Sequence, residues 1–131
     1  MEIRHHTINI VKRLINRARV ELEERFYDVL KSYYKYVVSI GHSIDTVYVE
    51  LSKCLVFLKY VQELGKGLDD LEVEDINEFL ASKRTAGTRR WYVNVIRNLA
   101  KAVKITVRFS KSEPRTVFIV KYAHVLRDWL R

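Results

Sequence analysis

From Thr7 to Ile40 apolar residues recur at Ile8, Val11, Ile15, Ala18, Leu22, Phe26, Val29, Tyr33, Val37 and Ile40, in steps of three and four. That spacing keeps one face of an α-helix apolar and predicts a single amphipathic helix of about 34 residues, about 50 Å long. Gly41 supplies a left-handed stop, and Ser43 offers a side-chain oxygen to the next helix start. The second helix, Ile44 to Leu64, gathers Val47, Tyr48, Leu51, Cys54, Leu55, Leu58 and Val61 on one side and ends at Gly65-Lys66-Gly67. A connector, Leu68 to Leu71, leads to a short third helix marked by Val73, Ile76, Phe79 and Leu80 and reaching about Ser82. Lys83 to Gly87 reads as a turn, with Thr88 capping a fourth helix to about Val103. The period then shortens to two: Ile105, Val107 and Phe109 alternate with polar residues, and Thr116 to Val120 is β-branched and aromatic. This predicts a β-hairpin over residues 105–120. Tyr122, Leu126, Trp129 and Leu130 return to helical spacing in a C-terminal helix.

The expected fold is therefore mainly α: a helical bundle containing a helix-turn-helix-like pair, one C-terminal β-hairpin and a long N-terminal helix. Residues 1–42 would form the long helix, and residues 43–131 the rest of the fold. A helix of that length outruns a partner helix of about 21 residues, so part of its stripe needs another cover, since exposed apolar surface costs about 25 cal/mol per Å². A second copy is the simplest cover. The first half of the helix, at Ile8, Val11, Ile15, Ala18 and Leu22, is expected to form a homodimer interface; the alternative is a helix bent or broken near Ala18 that folds back on its own chain.

The 131 residues suffice for one core. A composition of 48% hydrophobic and 31% charged residues, with four glycines and one proline, excludes disorder, collagen-like repeats and a disulfide scaffold. No apolar run approaches the roughly 18 residues of a membrane-spanning helix, and the first residues lack the apolar stretch of a signal peptide. A cytoplasmic protein is expected. The lone cysteine, Cys54, sits among leucines at helical spacing and reads as core. Glutamine occurs once, at Gln62, while Val, Ile, Arg, Lys and Glu are abundant, a balance associated with thermophiles.

Charge is distributed very unevenly. Residues 41–80 carry a net −6, whereas residues 81–110 carry eight basic side chains and no acidic one, within a total of +8. On the fourth helix, steps of 100° bring Arg90, Asn94, Arg97, Lys101 and Lys104 within about 80° of one another. Val95, Leu99, Ala102 and Val103 lie opposite, with Trp91, Tyr92 and Ile96 on the flanks. An ordinary solvated helix face mixes signs for i, i+4 pairing; this one has no acid, which points to a polyanion. Lys83, Arg84 and Arg89 in the preceding turn carry the cationic surface to the helix N-terminus, where backbone N–H groups also accept phosphate. Asn94 offers the donor and acceptor pair that matches an adenine edge. In a helix-turn-helix arrangement, the hairpin would act as a wing bringing Arg108, Lys111 and Arg115 to the DNA backbone.

Ser43-Ile44-Asp45-Thr46-Val47-Tyr48, Leu55-Val56-Phe57-Leu58 and the run Leu68 to Leu80, followed by a turn and a basic amphipathic helix, resemble the N-terminal core-binding domain of tyrosine recombinases, the phage-integrase family. The resemblance covers roughly Ser43 to Val103. It implies a small helical bundle that clamps double-stranded DNA. The family's separate catalytic domain carries two arginines, a lysine, a histidine and a nucleophilic tyrosine, and only 28 residues follow Val103. His124-Val125-Leu126-Arg127 matches the family's HxxR pattern without those partners, so no strand cleavage is expected.

No other chemistry stands out. His5-His6 has no third ligand at metal-binding spacing, Glu72, Glu74, Asp75 and Glu78 suit the first turns of a helix as answers to its dipole, and no glycine-rich phosphate loop is present. Tyr33, Tyr34 and Tyr36 read as packing. The expectation is a non-catalytic double-stranded DNA-binding protein, a regulator or architectural accessory, with no cofactor, metal, membrane or small-molecule substrate. The alternatives are a winged-helix regulator, an RNA binder, and a protein-interaction module that uses the N-terminal helix.

Overall fold

The computed structural model describes the backbone of residues 2–110 and the side chains of residues 8–103. Five helices follow in order: α1 (Glu2–Glu21), α2 (Glu24–Ser39), α3 (Ile44–Glu63), α4 (Val73–Ala81) and α5 (Ala86–Ser110), with a single 3-10 turn at Leu68–Asp70 before α4. No strand occurs among the described residues, so the mainly α expectation holds.

The expected 34-residue helix is two helices. The chain breaks at Leu22-Glu23 although neither residue is a glycine or a proline. Gln62 of α3 reaches the break: its Oε1 accepts from the Glu23 N–H at 2.8 Å, and its Nε2 donates to the Glu21 carbonyl at 3.3 Å. The side-chain amide thus replaces part of the backbone pairing lost there. Breaking the helix forfeits roughly two or three backbone bonds, each worth about 1 kcal/mol net. In return α1 lies against α3 and buries Val11, Leu14, Ala18 and Leu22, where each larger side chain contributes about 1.5–3 kcal/mol. Burial wins. The premise of the dimer expectation changes accordingly: Val11, Ala18 and Leu22 are covered within the chain, Ile15 is half-buried, and Ile8 alone of the five is exposed.

Helix α3 is the centre of the bundle, with α1, α2 and α5 against it. It buries Val47, Leu51, Cys54, Leu55, Phe57, Leu58 and Val61, a wide apolar arc that only a helix surrounded on several sides can satisfy. Helix α2 contributes Phe26, Leu30, Tyr33 and Val37 to the same core. One continuous cluster joins α1 and α2 to α3, α4 and α5, across the boundary expected at residue 42. Between α2 and α3, Gly41 adopts φ +89°. The Gly41 N–H donates to the Val38 carbonyl at 3.1 Å and the His42 N–H to the Val37 carbonyl at 3.2 Å, the two bonds of a Schellman stop. Ser43 then caps α3, its oxygen accepting from the Thr46 N–H at 3.3 Å.

Two further corrections concern α5. It starts at Ala86, not after Thr88, because Thr85 is the residue that caps it: the Thr85 Oγ1 accepts from the Thr88 N–H at 3.1 Å and the Thr85 carbonyl from the Arg89 N–H at 3.1 Å. It also continues through Ser110, so residues 105–110 are helical where the first strand of a hairpin was expected. Propagating a helix already about 18 residues long gains one hydrogen bond per residue fixed, which outweighs the modest strand preference of Ile105, Val107 and Phe109. Residues 111–120 of the expected hairpin and the expected C-terminal helix lie outside the described residues. No helix among the described residues is long and apolar enough to cross a membrane.

Candidate nucleic-acid interface

Helix α5 buries Tyr92, Val93, Val95, Ile96, Leu99, Ala100, Ala102 and Val103 against the bundle. What remains is an arc of about 120°, at 100° per residue, that carries Arg90, Trp91, Asn94, Arg97, Asn98 and Lys101. Arg90, Asn94 and Lys101 are exposed, and Arg97 is half-buried. The fold thus brings together the four members of the expected stripe whose side chains are described. Lys104 and Arg108 belong to α5 by backbone, and their side chains lie outside the described residues, as do Lys111 and Arg115 entirely.

What sets this arc apart is the absence of any acidic side chain on α5; lack of an ion pair is shared with Lys12, Arg13, Arg19, Lys35 and Lys53 elsewhere among the described residues. Among the described residues, lysines and arginines in ion pairs are found only on α1–α3 and the α3–α4 connection: Arg17 with Glu21, Arg25 with Glu23, Lys31 with Asp28, Lys59 with Glu21 and Lys66 with Asp75. None of Lys83, Arg84, Arg89, Arg90, Arg97 and Lys101 is ion-paired to a described residue. An unpaired cation surrounded by other cations keeps its full attraction for an external anion.

The turn residues divide by role. Arg84 is exposed. Arg89 is committed to the fold, its Nη1 donating to the Lys83 carbonyl at 2.9 Å. Lys83 folds back over aromatic rings, its Nζ 4.4 Å from the Phe79 centroid and 4.8 Å from that of Tyr92. The face that meets solvent is therefore narrower than the sequence suggested and is centred on Arg84, Arg90, Asn94, Arg97 and Lys101.

Two features were missed from the sequence. Trp91 is 42% exposed beside Asn94 and Arg90 rather than closing the buried flank; 100° steps place it about 60° from Asn94, on the rim of the arc. The second is a buried polar centre that fixes α5 in place. Glu50, only 3% exposed, lies in the core, where its Oε2 accepts from the Tyr33 hydroxyl at 3.1 Å and from Asn98 Nδ2 at 3.4 Å. Its Oε1 pairs with Nδ1 of His42. One carboxylate thereby joins α2, the α2–α3 turn, α3 and α5. Burial, then the nearby Cys54 and Glu50, hold the Tyr33 hydroxyl far above the usual tyrosine range, so it remains a donor at any physiological pH. Burial and the Glu50 charge likewise push the Cys54 thiol up, making it an inert core residue, as its spacing predicts. The available signal for Glu50 was its position: it falls three residues after Val47 and four before Cys54, squarely on the apolar stripe of α3.

Asn98 lies on the same arc, about 40° beyond Asn94 toward Trp91, and its bond to Glu50 ties the orientation of α5, and with it the direction of the cationic stripe, to α3. Among the described residues no cluster of three or more His, Cys, Asp or Glu could hold a metal ion. Comparison of the chain with protein-family models, curated proteins and solved structures gave no match, and no relative bears on the core-binding resemblance in either direction.

Proposed function

We propose that the chain binds double-stranded DNA through the exposed arc of α5, without catalysis or a cofactor, as a regulator or architectural accessory. The observation that carries this reading is the acid-free cationic arc, none of whose described cations is ion-paired to a described residue. Arg84, Arg90, Arg97 and Lys101 hold backbone phosphates, and Asn94 reads a base edge. Trp91 adds an apolar plane at the rim of the same contact. Glu50, through Asn98, keeps these side chains in register. A bundle-type DNA clamp fits better than a winged helix, since residues 105–110 extend α5 instead of starting a wing. The burial of Val11, Leu14 and Ala18 of α1 within the bundle leaves the interaction-module alternative with less support.

A gel shift with random duplex at several salt concentrations tests the reading. Four phosphate contacts give a slope of log affinity against log salt of about −3.6, at roughly 0.9 per contact. Arg97→Ala with Lys101→Ala weakens binding on all sequences alike and makes the slope shallower by about two, whereas Asn94→Ala chiefly reduces discrimination. Unchanged affinity in the double variant would show that α5 is the wrong surface. Duplex RNA and single-stranded DNA as competitors decide between DNA and RNA.

A further inference from the structure

A second group of cations lies off the α5 arc. Lys53 of α3 places its Nζ 4.6 Å from the centroid of Tyr92, the ring that Lys83 approaches to 4.8 Å from the α4–α5 turn. Two ammonium groups thus converge on one tyrosine, and they can be no further apart than the sum of those distances. Tyr92 is buried, and Phe79 meets its ring edge-on at 5.0 Å and 87°. Phe57 and Tyr60 pack on Phe79 in turn at 5.1 and 5.0 Å, so the platform under the two lysines is rigid. Neither lysine is ion-paired to a described carboxylate, although α4, next to them in the fold, is rich in acids. Burial, and then the charge of Lys53, hold the Lys83 ammonium below the ordinary lysine value; no carboxylate opposes that effect. Ring quadrupoles offset part of the desolvation of two cations but none of their mutual repulsion. An external dianion would remove that repulsion.

We propose that Lys53 and Lys83, held over the Tyr92–Phe79 platform, form a seat for one phosphate group at the junction of α3, α4 and α5. The seat is on the side of α5 away from the Arg90–Lys101 stripe. Its ligand chemistry is a phosphate ester or free phosphate gripped by two ammoniums, with no base contact. Where the phosphate belongs to DNA, the seat rests on the function proposed above and extends the footprint around the N-terminal end of α5.

The test is an NMR titration of the full chain with lysine side chains labelled at Cε, alone, with inorganic phosphate and with a short duplex. Lys53 and Lys83 are expected to shift together and the Lys83 pKa to rise on binding. A response to inorganic phosphate identifies a free-phosphate seat, and a response to duplex alone identifies a backbone-phosphate seat. No change at either lysine with both ligands overturns the proposal. Lys53→Met keeps the aliphatic stem and should abolish the Lys83 response, while Lys53→Arg restores it. In duplex binding, Lys53→Met should make the salt slope shallower by about one. The Arg97→Ala, Lys101→Ala variant separates the two ideas. If it binds duplex like wild type while Lys53→Met does not, the stripe fails and the seat stands. If it loses duplex while Lys53→Met changes neither affinity nor the Lys83 titration, the seat fails and the stripe stands.

Discussion

Replacing Glu50 is the most informative perturbation of this fold. In Glu50→Ala, the Tyr33 hydroxyl, on a residue with no exposed surface, loses its acceptor. A buried donor left unsatisfied costs about 1–3 kcal/mol. Asn98 and His42 are only part-buried and recover water, so their losses are nearer the roughly 1 kcal/mol of an ordinary hydrogen bond. The expected total is about 3–5 kcal/mol, a large share of the roughly 5–15 kcal/mol that stabilises a domain of this size. Glu50→Gln keeps the shape and one acceptor oxygen, gives up the pairing with His42, and should cost about 1–2 kcal/mol. Urea unfolding followed by far-UV circular dichroism measures both, with the slope on denaturant as a check that the unfolded state is unchanged. Tyr33→Phe removes the stranded donor. Combined with Glu50→Ala it should cost less than the sum of the two single changes by about 1–2 kcal/mol. A loss below about 1 kcal/mol in Glu50→Ala, or strict additivity in the cycle, would refute the view that this carboxylate organises the core. Glu50→Ala, which removes the acceptor of Asn98, should also weaken duplex binding under conditions where it remains folded, a loss that a purely stabilising role would not produce.

Gly41→Ala forces a side chain into φ +89° and should cost about 1–2 kcal/mol in urea unfolding, although nothing lies close enough to clash. At the start of α4, Asp75 accepts from Lys66 Nζ and from the Glu72 N–H, each at 2.8 Å; the Lys66 bond, then the backbone bond, hold its carboxyl below the usual aspartate value. Its stabilisation is therefore complete above about pH 4 and is lost as pH falls through the lowered folded value. The same bond raises Lys66, whose share disappears only in strong alkali. Asp75→Asn should accordingly reduce stability at neutral pH and flatten the acid limb of a thermal-melt series; an unchanged acid limb would count against the pairing. Trp91→Ala should leave stability within about 0.5 kcal/mol, as for most surface changes, while weakening duplex binding.

Elements closed by local chemistry were legible in the sequence. Gly41 and Ser43 act where they stand, and the apolar spacing of α3 and α4 located both helices to within about two residues. The position of the break between α1 and α2 was not legible, because what sustains it is long-range: the burial of α1 on α3 and the Gln62 amide, 39 residues beyond Glu23, while the local sequence at Leu22-Glu23 favours an unbroken helix. Thr85 and Thr88 are equally good caps by residue type; only the turn that precedes them decides. The strand expected at residues 105–109 rested on alternation, which a helix extended from a long buried segment overrides. The α5 arc was legible because an acid-free helix face is a statement about composition and spacing alone. Its support was not: Glu50 reaches α5 from α3 through Asn98, and only the packing brings it there.

The α1–α2 break has a topological consequence. Helix α1 is tied to α2 by two residues that would themselves accept helical geometry, and a side-chain amide from α3 is what favours the bend. If α1 swings out into a continuous helix with α2, the α3 face it leaves is an empty berth with the shape of an identical α1. A second chain can fill it with the same contacts, and two chains can exchange arms. Such an exchanged pair conserves the buried area of the closed form and adds the backbone bonds regained at Glu23, at the cost of bringing two molecules together. Gln62→Leu withdraws the amide from the bend and should populate this pair at micromolar concentration, seen as a doubled mass in sedimentation equilibrium; a strictly monomeric Gln62→Leu variant would show that packing alone holds the arm closed.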